Sequence, residues 1–128
     1  MAVTSKEILQ IIKQYLPCSK YTLGYVEDGV EDSACLYFRS GTMGKFEYDK
    51  EHSTIMPLTV VYTGTGNYTE TEQKIMDFYN SFVFLTHIDL DEESKISILP
   101  ANDMMPVFLS RNEAGYYQWA LDINVNIY

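Results

Sequence analysis

From Tyr117 to Ile127 the chain alternates without a break. Tyr117, Trp119, Leu121, Ile123, Val125 and Ile127 fall on one side, and Gln118, Ala120, Asp122, Asn124 and Asn126 on the other. A period of two is the pattern of a β-strand that lays one face on a core. At ~3.3 Å per residue the run extends for roughly 40 Å, well beyond the usual strand of about six residues. In a small domain a strand of that length has two choices. It curves around its own core, or it pairs over part of its length with something outside the domain.

The chain of 128 residues fits one domain, 1–128, and is long enough to bury a core. Its 46% apolar content is that of a globular protein rather than a disordered one. A formal charge of -9 disfavours wrapping a phosphate backbone. The start, Met1-Ala2-Val3-Thr4-Ser5-Lys6-Glu7, lacks the basic region and apolar core of a signal peptide, and no run approaches the ~20 apolar residues that span a bilayer. Synthesis and folding in a cytoplasm, with no membrane partner, are therefore expected. Cys18 and Cys35 are too few for a disulfide scaffold and far from any CxxC spacing, so they read as two small buried thiols.

Thr4 followed by Glu7 makes a capping box, and Ile8, Ile11, Ile12 and Tyr15 repeat at helical spacing, so the chain opens with a helix that Pro17 ends. Tyr21 to Val26 and Ala34 to Arg39, joined by an acidic turn, read as an antiparallel hairpin. Met56 to Tyr62 reads as a strand with Pro57 at its start. A second helix is predicted from a capping box of Thr69 and Glu72, with an apolar stripe running through Ile75, Phe78, Phe82 and Leu85. Lys95 to Leu99 is a short strand closed by Pro100, and an irregular bridge containing Met104 and Met105 leads to the closing segment. Helices and strands do not alternate regularly. The expected fold is therefore α+β: a mixed, mainly antiparallel sheet with two principal helices packed on one face.

Three patterns invite a chemical reading. Gly64-x-Gly66 lies between a strand and a helix, as a phosphate loop would. But Thr69 stands where a dinucleotide fingerprint needs its third Gly, no Gly-Lys-Ser/Thr follows, and Glu70 and Glu72 repel a phosphate. A turn into a capped helix is the better account. Asp89-x-Asp91-x-Glu93 resembles the opening of a calcium loop, yet Ser94 replaces its sharp-turn Gly and Pro100 its bidentate Glu. The two histidines, His52 and His87, have no second imidazole or Cys at ligand spacing, and His87 reads as a charge capping the second helix. No catalytic residue, cofactor site or metal site is predicted, and the chain is not expected to be an enzyme.

Two other places point to partners. From Ser40 to Thr54 periodicity dissolves, with Phe46 and Tyr48 set among charges. Such a stretch inside a small domain is usually functional or mobile, and these aromatics are candidate partner contacts. Arg111 sits in the turn Ser110 to Gly115 beside Glu113. It either pairs locally with Glu113 or offers its planar fork to a carboxylate on a neighbour.

The strand Pro57-Leu58-Thr59-Val60-Val61 is followed by a Gly-containing loop and a helix ending Phe78-Tyr79-Asn80-Ser81-Phe82. The closing block, Pro106-Val107-Phe108-Leu109-Ser110-Arg111-Asn112-Glu113-Ala114-Gly115-Tyr116-Tyr117, then leads into Trp119-x-Leu121-x-Ile123-x-Val125. Together these resemble the minor capsid or tail terminator proteins of tailed bacteriophages that infect Gram-positive bacteria. Ser110 and Asn112 stand where the family carries Gly and Asp. The resemblance implies a virion structural protein of the tail and neck, assembled in the host bacterial cytoplasm. It would form a homo-oligomeric ring, typically a hexamer, that caps the tail tube and docks to the head connector, with DNA passing through the lumen without specific binding. Alternatives are another neck protein, such as a head-completion or stopper ring, or a monomeric adaptor that binds a peptide along an edge strand. Candidate contacts with the next subunit or the tail tube are Phe46, Tyr48, Met104, Met105, Arg111, Glu113 and Tyr128. One half of the closing strand is expected to complete the domain's own sheet, and the other half to meet the neighbour.

Overall fold

The computed structural model describes residues 4–26, 31–39, 54–89, 95–101, 105–112 and 114–128. The first helix, α1 (Ser5–Tyr15), starts where the capping box places it. The Glu7 carboxylate accepts from the amide of Thr4 at 2.9 Å and also from its hydroxyl. These bonds hold the Glu7 carboxyl below the ordinary carboxylate range, the Thr4 hydroxyl contributing most. Ile8, Leu9 and Ile12 are buried, with Ile11 and Tyr15 at the margin of the same stripe.

Strands β1 (Lys20–Leu23), β2 (Ser33–Phe38) and β3 (Thr54–Gly64) follow. The expected antiparallel hairpin is not what forms. β1 and β2 run parallel, Lys20 opposite Ser33 and Leu23 opposite Leu36. Asp32, with φ of 50°, leads into β2 level with the start of β1. Its carbonyl accepts from the amide of Ser19 at 2.8 Å and its carboxylate from the Ser19 hydroxyl at 2.9 Å. β2 then pairs antiparallel with β3.

Helix α2 (Tyr68–Phe82) is capped by Asn67, whose side chain accepts from the amide of Glu70 at 2.8 Å, and not by the expected Thr69–Glu72 box. It also stops earlier than its apolar stripe suggests. Past Phe82 the chain makes a turn, with Phe84 at φ of 76°, and meets the next strand pair, β4 (Ile88–Asp89) and β5 (Lys95–Pro100), where the Phe84 amide donates to the Ile98 carbonyl at 2.7 Å. Leu85 is therefore part of the sheet's margin rather than of the helix.

β6 (Val107–Arg111) and β7 (Tyr117–Ile127) complete the chain. β7 lies at the centre of the sheet. β3 pairs with it along its whole length, from Thr54 opposite Ile127 to Gly64 opposite Tyr117. Its other edge is shared: β5 covers Ile123 to Ile127 and β6 covers Tyr117 to Ala120. β5 and β6 run in the same direction and act as successive partners along one edge of β7. The path is β1-β2-β3-β7-β5-β4, with β6 beside β5 along β7. The architecture is thus α+β, a curled, mostly antiparallel mixed sheet of 7 strands with two helices on one face.

Between helices and sheet, Leu58, Leu121, Ile123, Val125, Ile96 and Ile98 from the strands meet Ile8, Ile12, Ile75, Phe78 and Phe82 from the helices. Each fully buried large side chain of this kind contributes ~1.5–3 kcal/mol, so this layer supplies most of the driving force. The opposite face mixes polar side chains with apolar ones, Val61 and Cys35 buried and Ile55 and Leu99 exposed. Thr59 donates to the Asp122 carboxylate at 2.7 Å. Arg39 reaches from the end of β2 to the carbonyls of Leu58 and Ile123, at 2.8 and 3.0 Å, and to the side chain of Asn124.

Candidate interaction surface

The expectation that half of the closing strand is free to meet a neighbour is overturned, because both edges of β7 are occupied. The open edge lies one strand further out. β6 pairs with β7 on one side and with no described strand on the other. The rest of that margin is closed: Phe84 and Leu85 bond to Ile98 in front of β5, and β4 continues the cover.

β6 turns one large side chain inward. Phe108 lies 5.3 Å from Trp119 and 5.2 Å from Tyr68 between ring centroids, so the sheet side of the strand is fixed by an aromatic cluster. Val107 and Leu109 stay outside, 43% and 51% exposed, and Met105 just before them is 53% exposed. A shift in register between Phe108 and Ser110 turns Leu109 out of the ladder. Sequence reasoning missed Val107 and Leu109. Their signal was an apolar run of three in which the core has room for only Phe108.

Arg111 ends this strand. Its Nε donates to the Gly115 carbonyl at 3.3 Å and its guanidinium lies 5.8 Å from the centre of the Tyr117 ring. The turn beyond it is held by Asn112, whose amide donates to Tyr116 O at 2.8 Å and whose side chain accepts from the Tyr116 amide at 2.9 Å. Gly115, at φ of 89°, makes that turn possible. Arg111 and Met105 therefore stand at opposite ends of one exposed strand, and both are sequence-predicted contacts. Phe46, Tyr48, Met104 and Glu113 lie outside the described residues, as do His52 and most of the acidic linker after Asp89.

Tyr128 is at the far end of the sheet from Arg111 and is bound within the chain. Its hydroxyl lies 2.6 Å from His87 Nδ1 and 3.1 Å from the Ser97 hydroxyl. This also corrects the reading of His87, which faces Tyr128 rather than the end of α2. The Gly64-x-Gly66 turn is a matter of packing. A Cβ on Gly64 would sit 2.5 Å from the Tyr62 hydroxyl and 2.6 Å from Thr71 Cγ2, and the Glu70 carboxylate lies against Gly66, where a phosphate would meet negative charge.

A second polar cluster gathers where β1 and β2 begin. Lys74 from α2 contacts the Asp32 carboxylate at 3.0 Å and stands 5.3 Å from the Tyr62 ring centre, next to Cys18. Burial pushes the Cys18 thiol up to about 12, against the pull of the Lys74 charge, so it stays protonated and is a poor nucleophile. Both cysteines are free, Cys35 buried and Cys18 half-buried. Burial raises the Asp32 carboxyl, but hydrogen bonds from Lys74 and Ser19 and the Lys74 charge outweigh it, so its affinity for a proton falls. A lowered folded value means that this stabilisation is complete above about pH 4, the ordinary carboxylate range, and is lost as pH falls through the folded value. In acid titrations of the urea midpoint, Asp32→Asn should therefore lose less stability below about pH 4 than the unaltered chain. Identical acid profiles would rule the tie out.

Among the described residues no group of three or more His, Cys, Asp or Glu converges as a metal site, and no helix is long and apolar enough to cross a membrane. Compared with known proteins, the chain matches no family model and no curated sequence.

Proposed function

We propose that this protein is a structural component of a tailed-phage virion, a tail terminator that forms a ring on the end of the tail tube and docks it to the head connector. The observation that carries the reading is the exposed edge strand β6, with Met105, Val107 and Leu109 outward and Arg111 at its end. An open apolar edge is an aggregation liability in a free monomer. It is an asset in a subunit that must join others, and the closing block that resembles the terminator family contains this strand. The charge of -9 agrees with a lumen that DNA traverses without sticking. Phe46 and Tyr48 stay candidates for contact with the neighbour or the tube on their sequence alone.

The same edge also favours the runner-up, a monomeric adaptor that captures an extended peptide. Size-exclusion chromatography with light scattering separates the two: the ring reading expects a multiple of the 14.8 kDa monomer mass, at high concentration or on added tail tubes. Only monomer under both conditions would favour the adaptor. Electron microscopy of a deletion phage then separates terminator from stopper. Overlong or variable tails support the terminator, and normal tails detached from leaking heads would sink it. Arg111→Glu should weaken assembly at least about tenfold, as expected for an interfacial arginine, with the monomer still folded. An unchanged oligomer mass would remove Arg111 from the interface.

A further inference from the structure

We infer that β6 of one copy pairs edge to edge with β1 of the next, antiparallel, so that one subunit's sheet continues into its neighbour's. This rests on the ring reading and names the two surfaces that would make the ring. β1, like β6, has a partner strand on one side only among the described residues. The amides of Lys20 and Gly24 donate inward to the carbonyls of Asp32 and Leu36. By the alternation of a pleated strand, the backbone groups of Tyr21 and Leu23 between them point outward.

The two open edges lie level with each other. Ser110 is opposite Gln118, Gln118 opposite Thr63, Thr63 opposite Ser33 and Ser33 opposite Lys20. In the same way Val107, Ala120, Val61, Cys35 and Thr22 share a row. β6 and β1 are thus the two ends of one band of the sheet. Their directions also match the join. β6 is antiparallel to β7, β7 to β3 and β3 to β2, while β1 is parallel to β2. A second copy set alongside in the same orientation therefore presents β1 antiparallel to β6.

That arrangement matches chemistry at both ends. The end of β6 carrying Met105 and Val107 comes level with the end of β1 where Leu23, Tyr25 and Val26 are exposed, Val107 in the row of Thr22 and on the sheet face away from Leu23. The end carrying Arg111 comes beside exposed Glu31 and the start of β2. Asp32 there is already engaged by Lys74 and Ser19, so among the described residues Glu31 is the carboxylate offered to the Arg111 fork. A symmetric β6–β6 pairing offers no such match, because Val107 to Arg111 contains no acid. Unlike surfaces joined head to tail repeat, and close into a ring when the rotation permits.

The test uses two variants of the full chain, Leu23→Asp to disable the β1 edge and Val107→Asp to disable the β6 edge. Both positions are exposed, so circular dichroism and thermal melting should match the unaltered chain. Sedimentation velocity should show each variant alone assembling at least about tenfold more weakly. An equimolar mixture retains one intact β1 and one intact β6 between unlike copies, so it should form a one-to-one dimer and nothing larger. Dimers of Leu23→Asp alone would show β6–β6 pairing and overturn the inference. So would either variant assembling normally, or a mixture that stays monomeric while the unaltered chain makes rings; these results leave the ring reading standing. An unaltered chain that is monomeric even on tail tubes overturns both.

Discussion

Trp119→Ala should lower the free energy of unfolding by about 3–5 kcal/mol, the range for truncating a buried aromatic. Trp119 is 3% exposed and stands where three elements meet. Its ring centre is 5.0 Å from Tyr68 on α2 and 5.3 Å from Phe108 on β6, and its indole N–H donates to the Thr71 hydroxyl at 3.0 Å. The cavity would thus loosen β6, the strand proposed to carry assembly, as well as the core. Trp119→Phe separates the terms: it keeps most of the apolar area and loses one hydrogen bond, a cost of about 1 kcal/mol. Urea unfolding followed by circular dichroism measures both, since the chain's only Trp is the residue removed. A loss below about 1.5 kcal/mol for Trp119→Ala would mean that the site collapses freely and that β6 is not seated on it.

Phe78→Ala should cost a similar amount, about 3–5 kcal/mol, with a different local signature. Phe78 is 1% exposed and stacks on Phe82, ring centres 4.9 Å apart and 14° from parallel. Phe82 in turn meets Tyr15 of α1 at 5.5 Å. These rings link the two helices, so hydrogen exchange in the variant should speed up in α1 more than in β3 and β7. Uniform acceleration would indicate that the helices unfold only with the whole domain.

The elements that sequence revealed best were those whose pattern is local. The Thr4–Glu7 box and the Ile8–Ile12 spacing define α1 within a few residues of its bounds. The alternation from Tyr117 to Ile127 matches β7 residue for residue. Alternation, however, reports which face a side chain takes and is silent about strand edges. Nothing in Gln118, Asp122 or Asn124 says that β3 lies on one side and β5 and β6 on the other, because hydrogen bonds between backbones do not depend on side-chain type. The direction of β1 was hidden for a related reason. Its composition suits either sense of pairing, and the parallel form depends on the left-handed conformation of Asp32 and its bonds to Ser19, which no periodicity marks. On the candidate surface, Arg111 was legible from its turn and Met105 from the irregular bridge that holds it. Val107 and Leu109 were not, since an apolar run gives no sign of which members the core leaves outside.

The central position of β7 also sets the order in which this protein can become itself. β3 is made well before the strand that fills its second edge, with α2, β4, β5 and β6 emerging between them. Until β7 leaves the ribosome, the backbone edge of β3 that pairs with it from Thr54 to Gly64 has no native partner strand in the growing chain. Pairings so distant in sequence are slow to close, and an unfilled edge meanwhile attracts the same edge on neighbouring nascent chains. Yield of soluble protein should therefore depend on how quickly translation finishes and on how crowded the nascent chains are.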